Sequence, residues 1–127
     1  MQALLVAVLL AAPTEVLVVP FAVPEDTHDG IKLEVARWPA LLEEASKDKA
    51  LRFVTKSDKA RYRLTGQVKT DVKGERLVIR AEVHDARSRE KVWGESYELT
   101  EFFMKVKFLD ETRAKIEGGV RAKVKVK

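Results

Sequence analysis

The most regular pattern in the chain begins at Tyr62, where Tyr62, Leu64, Gly66 and Val68 alternate with Arg63, Thr65, Gln67 and Lys69. A period of two places the first set on one face of a strand and the second set on the other. After Lys73 and Gly74, which supply a tight turn, the alternation resumes: Leu77, Ile79, Ala81 and Val83 are interleaved with Val78, Arg80, Glu82 and His84. The two runs predict an antiparallel hairpin with one core face and one mostly wet face. A second turn, Asp85 to Glu90, leads into Val92 to Tyr97, with Trp93 and Tyr97 on one side of the strand. Three consecutive strands of this kind make a meander. Gly66 interrupts the apolar face of its strand and predicts close approach of a ring or of backbone at that point.

Upstream, the pattern is shorter and more apolar. Val16 to Phe21 is β-branched and almost wholly apolar, which suits a strand buried on both faces and ending near Pro20. A polar loop from Pro24 to Gly30 follows, and Asp29 is placed to cap a helix starting at Ile31. Ile31, Val35, Leu41, Leu42 and Ala45 approximate helical spacing. Pro39 lacks an amide donor, so the helix must kink or restart there. Leu51, Phe53 and Val54 then read as a second short strand before the polar segment from Lys56 to Lys59.

The end of the chain supports two readings. Phe102, Val106, Leu109, Ile116 and Val120 recur at helical spacing after Thr100, a suitable cap, whereas Met104, Val106 and Phe108 alternate with Lys105 and Lys107 as in a strand. Val120, Ala122, Val124 and Val126 alternate strictly with Arg121, Lys123, Lys125 and Lys127, after the pair Gly118 and Gly119 that would stop a helix. The reading adopted is a helix to about Glu117 followed by a strand. The fold class expected is α+β: a single domain over residues 14–127, a mixed sheet with an antiparallel three-strand meander and two helices packed against it.

The first 13 residues stand apart. The apolar run from Ala3 to Ala12 falls short of the roughly 20 apolar residues that span a bilayer. It suits the apolar region of a secretory signal peptide, with Ala11 and Ala12 at a possible cleavage point. Against that, no Lys or Arg precedes the run and Pro13 would obstruct cleavage; the alternative is a buried segment at the start of the domain.

Composition narrows the chemistry. At 127 residues the chain is long enough for one core, and 46% hydrophobic with 35% charged residues is the composition of a globular protein. The formal net charge of +4 demands neither nucleic acid nor anionic lipid, but the basic surplus is concentrated after Thr100. Cysteine is absent, which removes disulfides, thiolate metal sites, thiol nucleophiles and lipid attachment through a cysteine.

Candidate sites are few. Gly94-Glu95-Ser96 is followed by Tyr97 rather than the second glycine of a nucleophile elbow, and the glycines match neither dinucleotide-binding nor phosphate-loop spacing. No catalytic residues, cofactor or metal are therefore expected. Glu25, Asp26, His28 and Asp29 lie within five positions but fit no defined metal motif, and they read better as a solvated loop before a helix N-terminus. Glu82 and His84 share a strand face and read as an exposed cross-strand polar pair. Trp93 and Tyr97 are candidates for an aromatic contact platform, with core packing as the alternative. Arg121, Lys123, Lys125 and Lys127 are candidates for a basic contact surface for anionic lipid or nucleic acid, with protection of a sheet edge as the alternative.

Taken together, VLVVPF at Val16–Phe21, Asp29-Gly30-Ile31, YRLTGQV at Tyr62–Val68, LVIRAEVHDA at Leu77–Ala86 and VWGESY at Val92–Tyr97 resemble, in order and approximate spacing, the amino-terminal domain of TolB-like proteins and the related CsgG-like and FlgO-like envelope domains. The resemblance runs from about Val16 to Val120, with Phe108–Val120 at the position of the closing helix. It departs from the pattern where only Lys56–Ala60 is available for a second helix, and where Ser88 and Arg89 replace a common Thr-Gly turn. It implies a sheet with helices packed against it, no catalytic residues, and protein contacts in the periplasm or at the outer membrane. The function expected is thus a non-catalytic protein-interaction domain of the bacterial cell envelope, with a protein partner and peripheral membrane contact; the alternative is a basic surface for anionic lipid or nucleic acid. If the apolar start is not a signal peptide, the location expected is the cytoplasm.

Overall fold

The computed structural model describes residues 12–71, 76–99 and 105–124. Five strands and three helical segments are present among them: β1 (Thr14–Val18), α1 (Asp29–Ala36), α2 (Trp38–Ser46), β2 (Leu51–Val54), β3 (Tyr62–Asp71), β4 (Arg76–Asp85), β5 (Lys91–Leu99) and α3 (Lys105–Lys123). The strands form one mixed sheet in the order β2-β1-β3-β4-β5. β1 is parallel to both of its neighbours, and β3, β4 and β5 run antiparallel to one another, so the α+β class and the meander are as expected.

The alternation from Tyr62 onward dictates the meander. Tyr62 pairs with Asp85, Leu64 with Val83 and Val68 with Ile79, and β4 in turn places Val83 opposite Trp93 and Ile79 opposite Tyr97. Leu64, Val68, Leu77, Ile79, Ala81 and Val83 are buried on one face, while the residues between them are exposed or half-buried. A register shift at Val83 and His84 marks a bulge where β5 begins. The expected turn at Lys73 and Gly74 falls outside the described residues.

All three helices pack on the buried face, giving two layers around a single core. Ile31 and Val35 of α1, Trp38 and Leu42 of α2, and Leu109, Ile116, Val120 and Val124 of α3 join Val16, Val18 and Phe53 in that cluster. The helix break is at Arg37, and Pro39 occupies the first turn of α2, where its missing N–H has no partner to lose. Ser46, buried at the end of α2, ties that helix to β2: its hydroxyl oxygen accepts from the Phe53 amide at 2.8 Å. The Glu43 carboxylate accepts from the Thr55 amide at 2.6 Å.

Three expectations need correction. β1 ends at Val18, and only Val16 and Val18 are buried, because the helices cover one face and leave Leu17 and Val19 half-exposed on the other. Beyond Pro20 the chain keeps the line of the strand through a single bridge from Ala22 to Gln67. The α1 cap is His28, whose Nδ1 accepts from the Gly30 amide at 3.1 Å; Asp29 is the first helical residue instead. Third, α3 passes through Gly118 and Gly119 without interruption and continues to Lys123, so the expected terminal strand from Val120 to Lys127 is helix as far as Lys123, and its last three residues lie outside the described residues. Leu109, Thr112, Ile116, Val120 and Val124 form one buried stripe at steps of three and four, and burial of that stripe overrides the glycine pair. The break at Arg37 divides the first of the two expected helices, as Pro39 requires, into the segments α1 and α2.

Candidate interaction surfaces

Trp93 and Tyr97 stand on the same side of β5, as the alternation requires, but on the side facing the helices. Both are half-buried and pack against the core cluster, and the Trp93 indole lies against Gly119 of α3. Burial, followed by the neighbouring Glu95 carboxylate, pushes the Tyr97 hydroxyl up from its ordinary value. The two rings are therefore a partly covered strip under α3. The opposite edge of β5 carries no further strand among the described residues, leaving a nine-residue row of backbone donors and acceptors at the end of the sheet.

Among the basic residues of the C-terminal segment, Arg121 is engaged within the fold. The Arg121 guanidinium donates to the Glu117 carboxylate at 3.2 Å and to the Leu51 carbonyl at 3.1 Å, and lies 5.6 Å from the centre of the Phe53 ring. Arg121 thus binds the end of α3 to the edge strand β2. Lys123 is exposed, and Lys125 and Lys127 lie outside the described residues.

The acidic loop is spread out. Glu25, Asp26 and Asp29 are exposed and His28 is occupied as the helix cap; among the described residues no group of three or more acidic or histidine side chains could hold a metal ion. Glu82 and His84 approach to 3.7 Å on the open face of the sheet, with Arg80 on the other side of Glu82 at 3.2 Å.

A cluster that sequence order disguises lies at the end of the sheet where β1 and β3 begin. Lys59, Arg61 and Arg87 line a cleft of about 390 Å³ together with Ala12, Pro13, Thr14, Glu15 and Tyr62. The turn after β4 builds one wall. The Asp85 carboxylate accepts from the amides of Arg87 at 2.8 Å and Ser88 at 3.0 Å, and from Nε of Arg61 at 3.0 Å. Those two amides, then the Arg61 guanidinium, hold the Asp85 carboxyl down at about 2. The turn closes through Arg89, whose φ of 65° is the left-handed conformation that glycine adopts most readily. Arg89 is one of the two residues that replace the Thr-Gly turn of the TolB-like pattern, and the backbone keeps the glycine geometry without the glycine. The sequence signal for the cleft was Asp85 at the end of a strand, a residue placed to organise a turn; nothing in the spacing of Lys59, Arg61 and Arg87 shows that they meet.

No family model matches the chain, and no curated protein matches it in sequence. Solved structures do match in fold. The PelC dodecamer from Paraburkholderia phytofirmans superposes with a TM-score of 0.53 at 18% identity, over 85% of this chain and 86% of PelC. Lipoprotein GNA1162 from Neisseria meningitidis gives 0.50 at 16% identity, over 80% and 97%. TolB from Acinetobacter baumannii gives 0.51 at 14% identity, over 86% of this chain but only 27% of TolB. The single α+β domain of this chain therefore has a fold found in these bacterial proteins, and the TolB-like resemblance of the sequence is met at the level of fold.

Proposed function

We propose that the chain is a non-catalytic interaction domain of the bacterial cell envelope, of the TolB-like, CsgG-like and FlgO-like kind. The observation that carries this reading is the fold, which is similar over most of the chain to a lipoprotein, to PelC and to part of TolB. The residue-level resemblance supports it from a second direction. A protein partner has a ready place at the outer edge of β5, where an added strand would find unpaired backbone groups beside the half-exposed rings of Trp93 and Tyr97. The apolar run from Ala3 to Ala12 acts as the export signal. No helix among the described residues is long and apolar enough to cross a membrane.

The test is the intact mass of the native protein in separated periplasmic, membrane and cytosolic fractions, combined with a photo-cross-linking residue at the exposed Ser96 of β5. A periplasmic or membrane-associated species shortened by roughly a dozen residues, with a discrete cross-linked adduct, is the expected result. A full-length product confined to the cytosol would overturn it.

A further inference from the structure

The cleft at the start of β1 and β3 is rich in cations. Three cations, Lys59, Arg61 and Arg87, face one lining carboxylate, Glu15, and that carboxylate already accepts from the Ser57 hydroxyl at 2.8 Å. Arg61 engages Asp85 through Nε alone, which leaves its two terminal nitrogens without an acceptor among the described residues. The Arg87 amide is fixed in the Asp85 turn and the Lys59 amide donates to Ser57 at 3.2 Å, so both backbones are held. Their exposed side-chain charges have no ion-pair partner among the described residues. Asp85 neutralises part of Arg61, and both of its oxygens are engaged, Oδ1 by the Arg87 and Ser88 amides and Oδ2 by Arg61.

Guanidinium and ammonium groups lining a small concave site suit the oxygens of a phosphoryl group, which arginine binds in a fork and lysine as a point charge. A volume of about 390 Å³ admits a headgroup-sized anion but not acyl chains. We propose that this cleft binds a phosphoryl anion, through Lys59, Arg61 and Arg87. Two sources carry that group, the headgroup of an anionic phospholipid and a soluble phosphate ester. The inference does not depend on the protein-interaction reading.

The experiment uses the full chain with two kinds of probe: inorganic phosphate and glycerol 3-phosphate titrated under amide NMR, and co-sedimentation with phosphatidylcholine vesicles with or without phosphatidylglycerol. Saturable shifts confined to residues 59–62 and 87 identify a soluble phosphoryl ligand as sufficient. Binding only to phosphatidylglycerol vesicles identifies the lipid source. In either case Lys59→Glu with Arg87→Glu should weaken binding by about tenfold or more. Lys115→Glu with Lys123→Glu, an equal change in net charge on the exposed face of α3, should leave it within about twofold at fixed salt. The milder pair Lys59→Gln with Arg87→Gln repeats the test if charge reversal disturbs folding. Absence of saturable binding to any probe, or equal weakening by the α3 pair, would overturn the proposal.

Discussion

The middle of β3 and the last turns of α3 meet the same packing requirement in different secondary structure. A Cβ placed on Gly66 would lie 2.4–2.6 Å from three atoms of the Phe21 ring, and one placed on Gly119 would lie 2.7–3.0 Å from the Trp93 indole. Neither glycine has a positive φ, so each is present for the space it leaves rather than for backbone freedom. The difference lies in what stands behind the ring. Phe21 is buried and sits edge-on to Trp38 at 5.5 Å, inside the core, whereas Trp93 is half-exposed and has solvent on one side. Gly66 is thus a socket in a rigid wall, and Gly119 a socket facing a ring with room to move.

The strongest way to break this comparison is Gly66→Val. Two methyl groups and a Cβ cannot enter without expelling Phe21, and stability measured by urea unfolding should fall by about 3 kcal/mol or more. An unchanged unfolding midpoint would show that the Phe21–Gly66 contact is not part of the core. The neighbouring helical glycines sharpen the same point with opposite signs. Gly119→Ala should lose about 1 kcal/mol, since overpacking against Trp93 exceeds the gain in helix propensity. Gly118→Ala, where a Cβ meets nothing within 4 Å, should gain up to about 1 kcal/mol. Equal effects at the two positions would mean that propensity alone decides. The smallest effect belongs to Arg89→Gly. Relief of the left-handed backbone is partly offset by the added freedom of the unfolded chain, so a gain of roughly 0.5 kcal/mol is expected in the same measurement. A loss would indicate that the Arg89 side chain makes a contact that outweighs the strain.

These positions also show what was legible in the sequence. Gly66 could be read because it breaks an otherwise regular alternation, and an interrupted strand face implies a close neighbour. Gly119 could not, because two adjacent glycines before an alternating apolar run look like a helix stop followed by a strand. Only the burial of Val120 and Val124 beneath the sheet decides that the helix continues. The cap is hidden for a related reason: Asp29 has the side chain expected at a helix start, yet it is the imidazole of His28 that accepts from the Gly30 amide. Surface sites were harder still. Arg121 has the composition of a contact residue but spends its donors on Leu51 and Glu117, whereas the basic cleft joins residues from segments with no common pattern.

The position of β1 bears on the order in which the protein takes shape. Synthesis delivers β1 first among the described strands, yet its two parallel neighbours arrive much later: Thr14 awaits Leu51, and Val16 awaits both Phe53 and Tyr62. The meander, by contrast, needs only consecutive segments, and local pairing forms sooner than pairing across long stretches of chain. Until β2 emerges, Val16 and Val18 have no strand beside them, and the growing chain carries an unpaired apolar strand from Val18 to Leu51. The first strand to be made is therefore held only by partners distant along the chain, and the sheet closes around it after the local meander has formed.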